Sequence, residues 1–536
     1  MIHINQLGYK INDKKEVFVN SPYCRVDSFK VIDVKSGTSV YEGQLKGPFL
    51  DKDTGDTLYK GEFTDLKVPG EYFVEIAVGK SYKFKINENV YDKVKDALLK
   101  VMYFQRCGIE LKEEYAGPWK HGCCHTEDAY LYEEEGRKIE TTGGWHDAGD
   151  YGKYVVPAAK TVADLLLAYQ FVPDAFDDDL NIPESGNRVP DILDEARVAL
   201  DWMFKMQAED GGVYHKVTTK NFIGMDMPET SKEKRYVFPI SVTATADFAA
   251  VMAMASRVFK PYDEEFCQKA ISAAEKAWIW LINNPDREGF KNPPGVNTGE
   301  YGDVYDRDER FWAAVELYSA TGKEEYHNYI KENYQEDFSK TALNWQNVGG
   351  YSVISYLFTE KEGLDNEVYN YLKAAFLSDA MQMAERGKNN GYGISLANYI
   401  WGSNGVLMDQ SIVLIIASIL DKDKADEYLT IAKNNFNYLL GCNALSQSYI
   451  TGFGSQPIMH PHHRPSEADG IEEPVPGMLS GGPNQNLQDE TLKRAVTEDV
   501  TPARAFVDLL GSHSSNEITT YWNSAAVFVA GYFSIV

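Results

Sequence analysis

Cysteine is scarce in this chain. Six cysteines among 536 residues, at 24, 107, 123, 124, 267 and 442, are too few to read as a disulfide framework. Basic charge is also short, with 53 lysines and arginines against 80 aspartates and glutamates and a formal net charge of -27. That field repels nucleic acid and anionic lipid, so neither is expected as a partner, and a neutral small molecule or neutral polymer remains open. Long apolar runs are missing too. The most apolar stretch, SIVLIIASIL (411–420), lies between Asp409 and Asp421 and is too short to span a bilayer. The opening MIHINQLGYK has neither a basic start nor an apolar h-region. The expectation is a cytosolic protein, or a secreted one from which a leader has been removed. Low-complexity tracts are absent, and what is abundant is aromatic: 34 tyrosines and 9 tryptophans, mostly core filling, are also the residues that stack on sugar rings.

Periodicity divides the chain. Residues 1–88 alternate as short strands do, and a small β-sandwich is expected there. In SYKFKI, Tyr82, Phe84 and Ile86 share a face, and Gly79-Lys80 suits a tight hairpin; a second hairpin centres on Ser36-Gly37. From about residue 89 to 536 the repeat becomes helical, as in VVPAAKTVADLLLAYQFV and ISAAEKAWIWLINN. Further helices are expected near 91–106, 191–207, 240–258, 307–321, 324–334, 341–358, 366–385, 407–420, 423–440 and 518–533, roughly a dozen in all. Periodicity does not choose between a bundle, a solenoid and a closed toroid. Residues 443–516 have little regular signal but hold PIMHPHHRPS, PVPGMLSGGPNQN and TPARA, which suggests an ordered functional loop.

Several constellations can carry chemistry. In GGWHDAGDYGKY (143–154), Asp147 and Asp150 are turn formers in the simplest reading. In the functional one they hold a single water, with one of them acting as general base. Cleaving a glycosidic bond also needs a protonated carboxyl on the other side. Glu517, just ahead of the apolar C-terminal helix, is the candidate acid; the alternative is a first-turn glutamate favoured by the helix dipole. In PHHR (461–464) the adjacent histidines point to different sides, and His462 with Arg464 could bind hydroxyls. Cys107, Cys123, Cys124, His125 and His146 include two thiols and two imidazoles for a tetrahedral zinc site, though their spacing is far from that of compact fingers. Asp303, Asp306, Asp308 and Glu309 could ligate calcium, or simply open a solvated helix.

In this order, WHDAGDYGKYV, YIWGSNGVLMDQSIVL, YLLGCNALSQSYITGFGS, HPHHRPS, PVPGMLSGGPN and NEITTYWNSA resemble glycoside hydrolase family 9, the cellulases with an N-terminal immunoglobulin-like domain. The resemblance runs from about residue 5 to 535. It implies a mainly α fold, an (α/α)6 barrel of about twelve helices preceded by a small Ig-like β-sandwich. The activity it implies is inverting hydrolysis of β-1,4-glucosidic bonds in cello-oligosaccharides or soluble glucan. It assigns Asp150 as general base, Asp147 as water-positioning partner, Glu517 as general acid, and His462 and Arg464 as glucose-binding residues. It further implies structural zinc on Cys107, Cys124, His125 and His146, calcium at Asp308 and Glu309, and no organic cofactor. The run LLGSHSS before Asn516 departs from the family's Asp- and Tyr-containing stretch. No dockerin-like repeat or separate cellulose-binding module is seen, so soluble cellodextrins are the expected substrate, as cellodextrinase or endoglucanase. Competing readings are an exo-acting β-glucosidase or β-glucosaminidase, a metal-dependent hydrolase using His146, Asp147 and Asp150, and an inactive sugar-binding protein.

Overall fold

A computed structural model describes every residue, Met1–Val536. The first 86 residues form ten strands: β1 (Ile2–His3), β2 (Gly8–Tyr9), β3 (Glu16–Asn20), β4 (Ser28–Asp33), β5 (Ser39–Gln44), β6 (Lys46–Leu50), β7 (Thr57–Glu62), β8 (Gly70–Ile76), β9 (Gly79–Lys80) and β10 (Phe84–Ile86). One sheet runs β1-β3-β7-β6 and the other β2-β10-β8-β4-β5, with β9 on β8. Val17, Val19, Phe29, Val31, Phe63, Val74, Phe84 and Ile86 belong to one core cluster in this segment. The Ser36-Gly37 hairpin forms as expected between β4 and β5. The Gly79-Lys80 hairpin does not: those residues pair with Glu75–Ile76, and the chain reverses at Ala77-Val78. Phe84 and Ile86 are buried, whereas Tyr82 lies outside the strand and is 39% exposed.

Twelve longer helices follow, at Asp92–Phe104, Val155–Phe171, Asp191–Lys205, Val242–Val258, Glu264–Asn283, Arg307–Thr321, Glu324–Asn333, Gly349–Leu357, Asn366–Asn389, Ser403–Leu420, Ala425–Leu439 and Thr520–Ile535. Local chemistry sets their ends. Asp263 caps the helix Glu264–Asn283 by accepting from the Phe266 N–H, with two glutamates in its first turn. The expected helix 341–358 begins only at Gly349, because the Asn344 carboxamide accepts the N–H groups of Gln346 and Asn347 and makes a turn. Short strands that periodicity did not reveal lie beside the helices: β11 (Ala129–Leu131), β12 (Lys138–Ile139), β13 (Lys153–Tyr154), β14 (Val213–Tyr214), β15 (Lys216–Thr218), β16 (Tyr236–Val237) and β17 (Ile240–Ser241). The run SIVLIIASIL belongs to a longer helix, Ser403–Leu420, which by length and composition could cross a membrane. Here it is a core helix: Leu407, Met408 and Ile412–Ile416 are buried, and it packs on the helices Ala425–Leu439 and Thr520–Ile535.

The chain forms two compact units. One comprises Met1–Val101, Ala380–His462 and Glu472–Val536; the other comprises Met102–Asp379 and His463–Ile471. Within the first unit, strands and late helices are joined by buried polar contacts. The Gln6 side chain donates to the Ser446 carbonyl and accepts from the N–H groups of Ser455 and Gln456. Asp56, almost fully buried, accepts from the Arg504 guanidinium at 2.6 Å and the Tyr392 hydroxyl at 2.7 Å. Asp56 also accepts from the Asn20 carboxamide, so Asp56→Ala strands three donors and is expected to cost about 2–3 kcal/mol in urea unfolding of this unit. A loss under about 0.5 kcal/mol would show that the contact is incidental.

Candidate active site

In the second unit, GGWHDAGDYGKY runs through His146 into β13, which pairs with β15. Its backbone is held at several points. The Gln105 carboxamide donates to the carbonyls of His146 and Ala148, while the His146 N–H donates to the Gln105 carbonyl. The Asp147 N–H donates to the carbonyl of Gly152. Asp147 and Asp150 are both buried. Asp147 Oδ2 accepts from the Tyr301 hydroxyl, and Asp150 Oδ2 accepts from the Gly152 N–H at 2.9 Å. Burial pushes the Asp147 carboxyl well above the ordinary range; the Tyr301 hydrogen bond opposes that and the neighbouring Asp150 adds to it. Gly152 is a matter of space. A Cβ there would lie 2.7 Å from the Tyr154 hydroxyl and 2.9 Å from Asp150 Oδ2.

Aromatic rings surround this loop. Tyr301 has φ +46, an uncommon conformation for a bulky residue, and its ring meets Trp345 edge-on at 5.0 Å. A small cavity at Asp150 is lined by His125, Tyr151, Thr219, Phe222 and Arg235, and Phe222 is 50% exposed. Arg464 reaches this loop. It is buried, and its guanidinium donates to the carbonyls of Gly149, Ile223 and Gly224. Its backbone N–H also donates to Gly149. It ties the aspartate loop to the Phe222 loop. The neighbouring His463 faces Gln105 and Ser466.

Cys107, Cys124, His125 and His146 converge with ligand atoms all within 4.8 Å of one another, and so form a site that can hold a metal ion. Each Sγ···N separation across Cys107–His125 and Cys124–His146 is 3.9 Å, and the two imidazole nitrogens are 3.3 Å apart. Burial keeps His125, with a pKa lowered to about 4, and His146 in the neutral form that ligates metals. His125 has φ +50, which carries its ring into the cluster. Cys123 stays outside, donating to the carbonyl of Gly108.

The first unit carries Glu517. This residue is not in the first turn of the terminal helix: Thr519 is the cap, accepting from the Trp522 N–H, and Glu517 is extended ahead of it. It lies in a bridge with His462, and its carbonyl accepts from the Gly481 N–H at 2.8 Å. Asn516 is fully buried; its carboxamide donates to the His460 carbonyl and Asp508 and accepts from Ser480. The His462 Nδ1–H donates to the Leu510 carbonyl at 2.7 Å. His513, in the divergent LLGSHSS run, lies between the rings of His462 and Trp401. Residues 443–516 are ordered by such contacts, as expected of a functional loop.

The acidic helix start at Arg307 is a second buried cluster. Asp247, unremarked in the apolar run TATADFAAVMAMA, is a charge neighbour of Asp308 and Glu309. Neither carboxylate oxygen of Asp247 or Glu309 receives a hydrogen bond. Burial and mutual repulsion push both carboxyls up. Asp308 accepts from the Val348 N–H. Asp306 takes no part, pairing instead with Arg310 at 2.7 Å. Gln105, Tyr301 and Asp247 are the site residues that sequence reasoning missed. Only Asp247 left a signal, a lone charge in an otherwise apolar helix.

Comparison with known proteins completes the description. The profile of glycosyl hydrolase family 9 matches residues 91–530, and that of the cellulase N-terminal Ig-like domain matches residues 1–81. A cellodextrinase of Butyrivibrio fibrisolvens is 36% identical over 545 residues, which cover 98% of each chain. Endoglucanase D of Acetivibrio thermocellus is 38% identical over 543 residues, 99% of this chain and 83% of that one. A thermostable endoglucanase from Alicyclobacillus acidocaldarius, solved as a single mutant, matches with a TM-score of 0.93 at 37% identity, covering 100% of this chain and 99% of its own. The fold is mainly α, an (α/α)6 barrel preceded by a small Ig-like domain. The chain belongs to glycosyl hydrolase family 9 and is a glycoside hydrolase.

Proposed function

We propose that this enzyme hydrolyses β-1,4-glucosidic bonds in cello-oligosaccharides and soluble or amorphous glucan, inverting the anomeric carbon. The observation that carries this reading is the buried Asp147–Asp150 pair, whose two carboxyls differ in environment. Asp147 keeps its proton to higher pH through burial beside Asp150. Asp150 acts as the base. One oxygen of Asp150 is held by Gly152, and the other takes the proton of the attacking water as that water's oxygen bonds to C1. Asp147 orients the same water. Glu517 gives its proton to the departing glycosidic oxygen. With Nδ1–H on the Leu510 carbonyl, Nε2 of a neutral His462 ring is an acceptor for a sugar hydroxyl. Arg464 positions the base loop, and exposed rings such as Phe222 and Trp401 offer stacking faces. The names of the relatives, cellodextrinase and endoglucanase, agree with this substrate class.

The metals in this reading are structural. Tetrahedral zinc at about 2.3 Å from sulfur and about 2.0–2.1 Å from nitrogen puts ligand atoms ~3.6 Å apart for S···N and ~3.3 Å for N···N. The observed 3.9 and 3.3 Å fit that ion. The all-oxygen set of Asp247, Asp308 and Glu309, with its orphaned buried oxygens, suits calcium. Cys107, Cys124, His125 and His146 would hold the zinc, which would fix His146 next to Asp147 and supply no chemistry to the substrate.

Asp150→Asn is expected to lower kcat on cellohexaose by about 10²–10⁴, with the thermal transition unchanged. Glu517→Gln loses as much on cellohexaose but keeps far more activity on a dinitrophenyl cellobioside, whose leaving group needs no proton. Equal losses on both substrates would remove Glu517 from the acid role. Wild-type enzyme should release mixed short oligomers from cellohexaose, and glucose as the sole product would favour the exo-acting β-glucosidase reading. Chelation of zinc should lower the melting temperature while turnover persists until unfolding. Immediate loss of turnover, restored by metal, would favour a metal-dependent hydrolase.

A further inference from the structure

Within the second unit, the helices Val155–Phe171, Val242–Val258, Arg307–Thr321 and Gly349–Leu357 border a cavity of about 800 Å³ where they end. Tyr169, Arg257, Ser319 and Phe358 line it, one from the last turn of each helix or the residue after it, with Lys260 and Lys361 beside them. Tyr169 lies roughly 21 Å along its helix from Val155, at about 1.5 Å per residue. The cavity is therefore at the opposite end of that helix from the Asp147–Asp150 loop. Its volume is that of a small-molecule site, for which ~300–1,000 Å³ is usual.

The polar groups of this cavity are only partly used. The Arg257 guanidinium donates through Nη2 to Glu316, a fully buried carboxylate that also accepts from the Ser355 hydroxyl and the Trp312 indole N–H. Arg257 Nε and Ser319 Oγ are buried without any hydrogen-bond partner. A helical serine can bond the carbonyl one turn back; Ser319, 4% exposed, does not. Two stranded donors call for a ligand with acceptors. Charge argues against an anion. Glu316 already matches Arg257, four helices present their negative C-terminal ends here, and the one that begins here, Glu264–Asn283, has Glu264 and Glu265 in its first turn. An uncharged ligand that accepts from Arg257 and Ser319 and donates to helix-end carbonyls carries hydroxyls, which do both. Tyr169, bonded to the Tyr262 hydroxyl at 2.6 Å, and Phe358, edge-on to Phe171 at 5.0 Å, are half-buried rings that offer apolar surface to the C–H face of a sugar.

We propose that this cavity is a second saccharide site, which holds a short β-1,4-glucan on Tyr169, Arg257, Ser319 and Phe358. That the saccharide is a β-1,4-glucan rests on the function proposed above. The site shares no residue with the catalytic loop, the Cys/His cluster or the group of Asp247, Asp308 and Glu309. Sugar bound there satisfies the stranded donors and ties together the ends of four helices.

The test titrates full-length Asp150→Asn enzyme with cellotetraose and follows amide exchange in peptides covering 167–176, 256–271, 317–323 and 357–362. At ten times half-saturating sugar, exchange through local opening in these peptides should slow about tenfold. Adding Tyr169→Ala and Phe358→Ala should abolish that response and leave the response of 143–154 intact. The same two substitutions in otherwise wild-type enzyme should leave kcat/KM on cellohexaose unchanged. Unchanged exchange of the four segments up to the solubility limit of cellotetraose would overturn the site, a result that needs neither ring variant to fold. So would slowing that persists without the two rings, or slowing produced by sodium phosphate in place of the sugar. Failure of wild-type enzyme to cleave cellotetraose would instead count against the proposed function, and is read separately.

Discussion

Burying two carboxyls side by side is the cost around which the GGWHDAGDYGKY loop is organised. Burial, with Asp150 as neighbour, pushes the Asp147 carboxyl well above its ordinary range. That arrangement holds only if neither side chain can move. The loop is accordingly tied down by backbone and side-chain bonds from Gln105, Gly152, Tyr301 and Arg464. Arg464 shows the logic best. Its guanidinium donates to the carbonyls of Gly149, Ile223 and Gly224, which fastens the aspartate loop to its neighbour.

Glu517 is held by a different device. A carboxyl at a helix N-terminus would feel a dipole that favours its ionised form. Placing Glu517 two residues ahead of the Thr519 cap, in an extended segment between His462 and Gly481, keeps it out of the first helical turn. The buried Asn516 ties that segment to His460, Ser480 and Asp508. The glycine-rich SGGPN motif is part of the same support, since a Cβ at Gly481 would press on the Trp522 ring at 3.0 Å.

What could be read from the sequence depended on how local its cause was. Helices with a single apolar stripe were legible, and the twelve longer ones lie near where periodicity places them, although the helix expected at 341–358 starts only at Gly349. The two-residue strands β13, β14, β16 and β17 were not, because they are defined by partners far along the chain. Among the site residues, Asp147, Asp150, Glu517 and the four metal-cluster residues sit in distinctive motifs. The positions of Gln105 and Tyr301 rest on tertiary contacts, 43 and 154 residues apart in sequence, that no window could contain. The PHHR motif pointed to Arg464, but its bonds to the carbonyls of Gly149, Ile223 and Gly224 depend on segments far away in sequence.

The most direct test of the two-carboxylate account is the anomeric form of the first product. Proton NMR of freshly added enzyme on cellotetraose should show the α-anomer appearing first and then mutarotating, as a single displacement by water held at Asp150 requires. Initial release of the β-anomer would mean a covalent glycosyl–enzyme intermediate, and would contradict the assignment of Asp150 as a base acting through water.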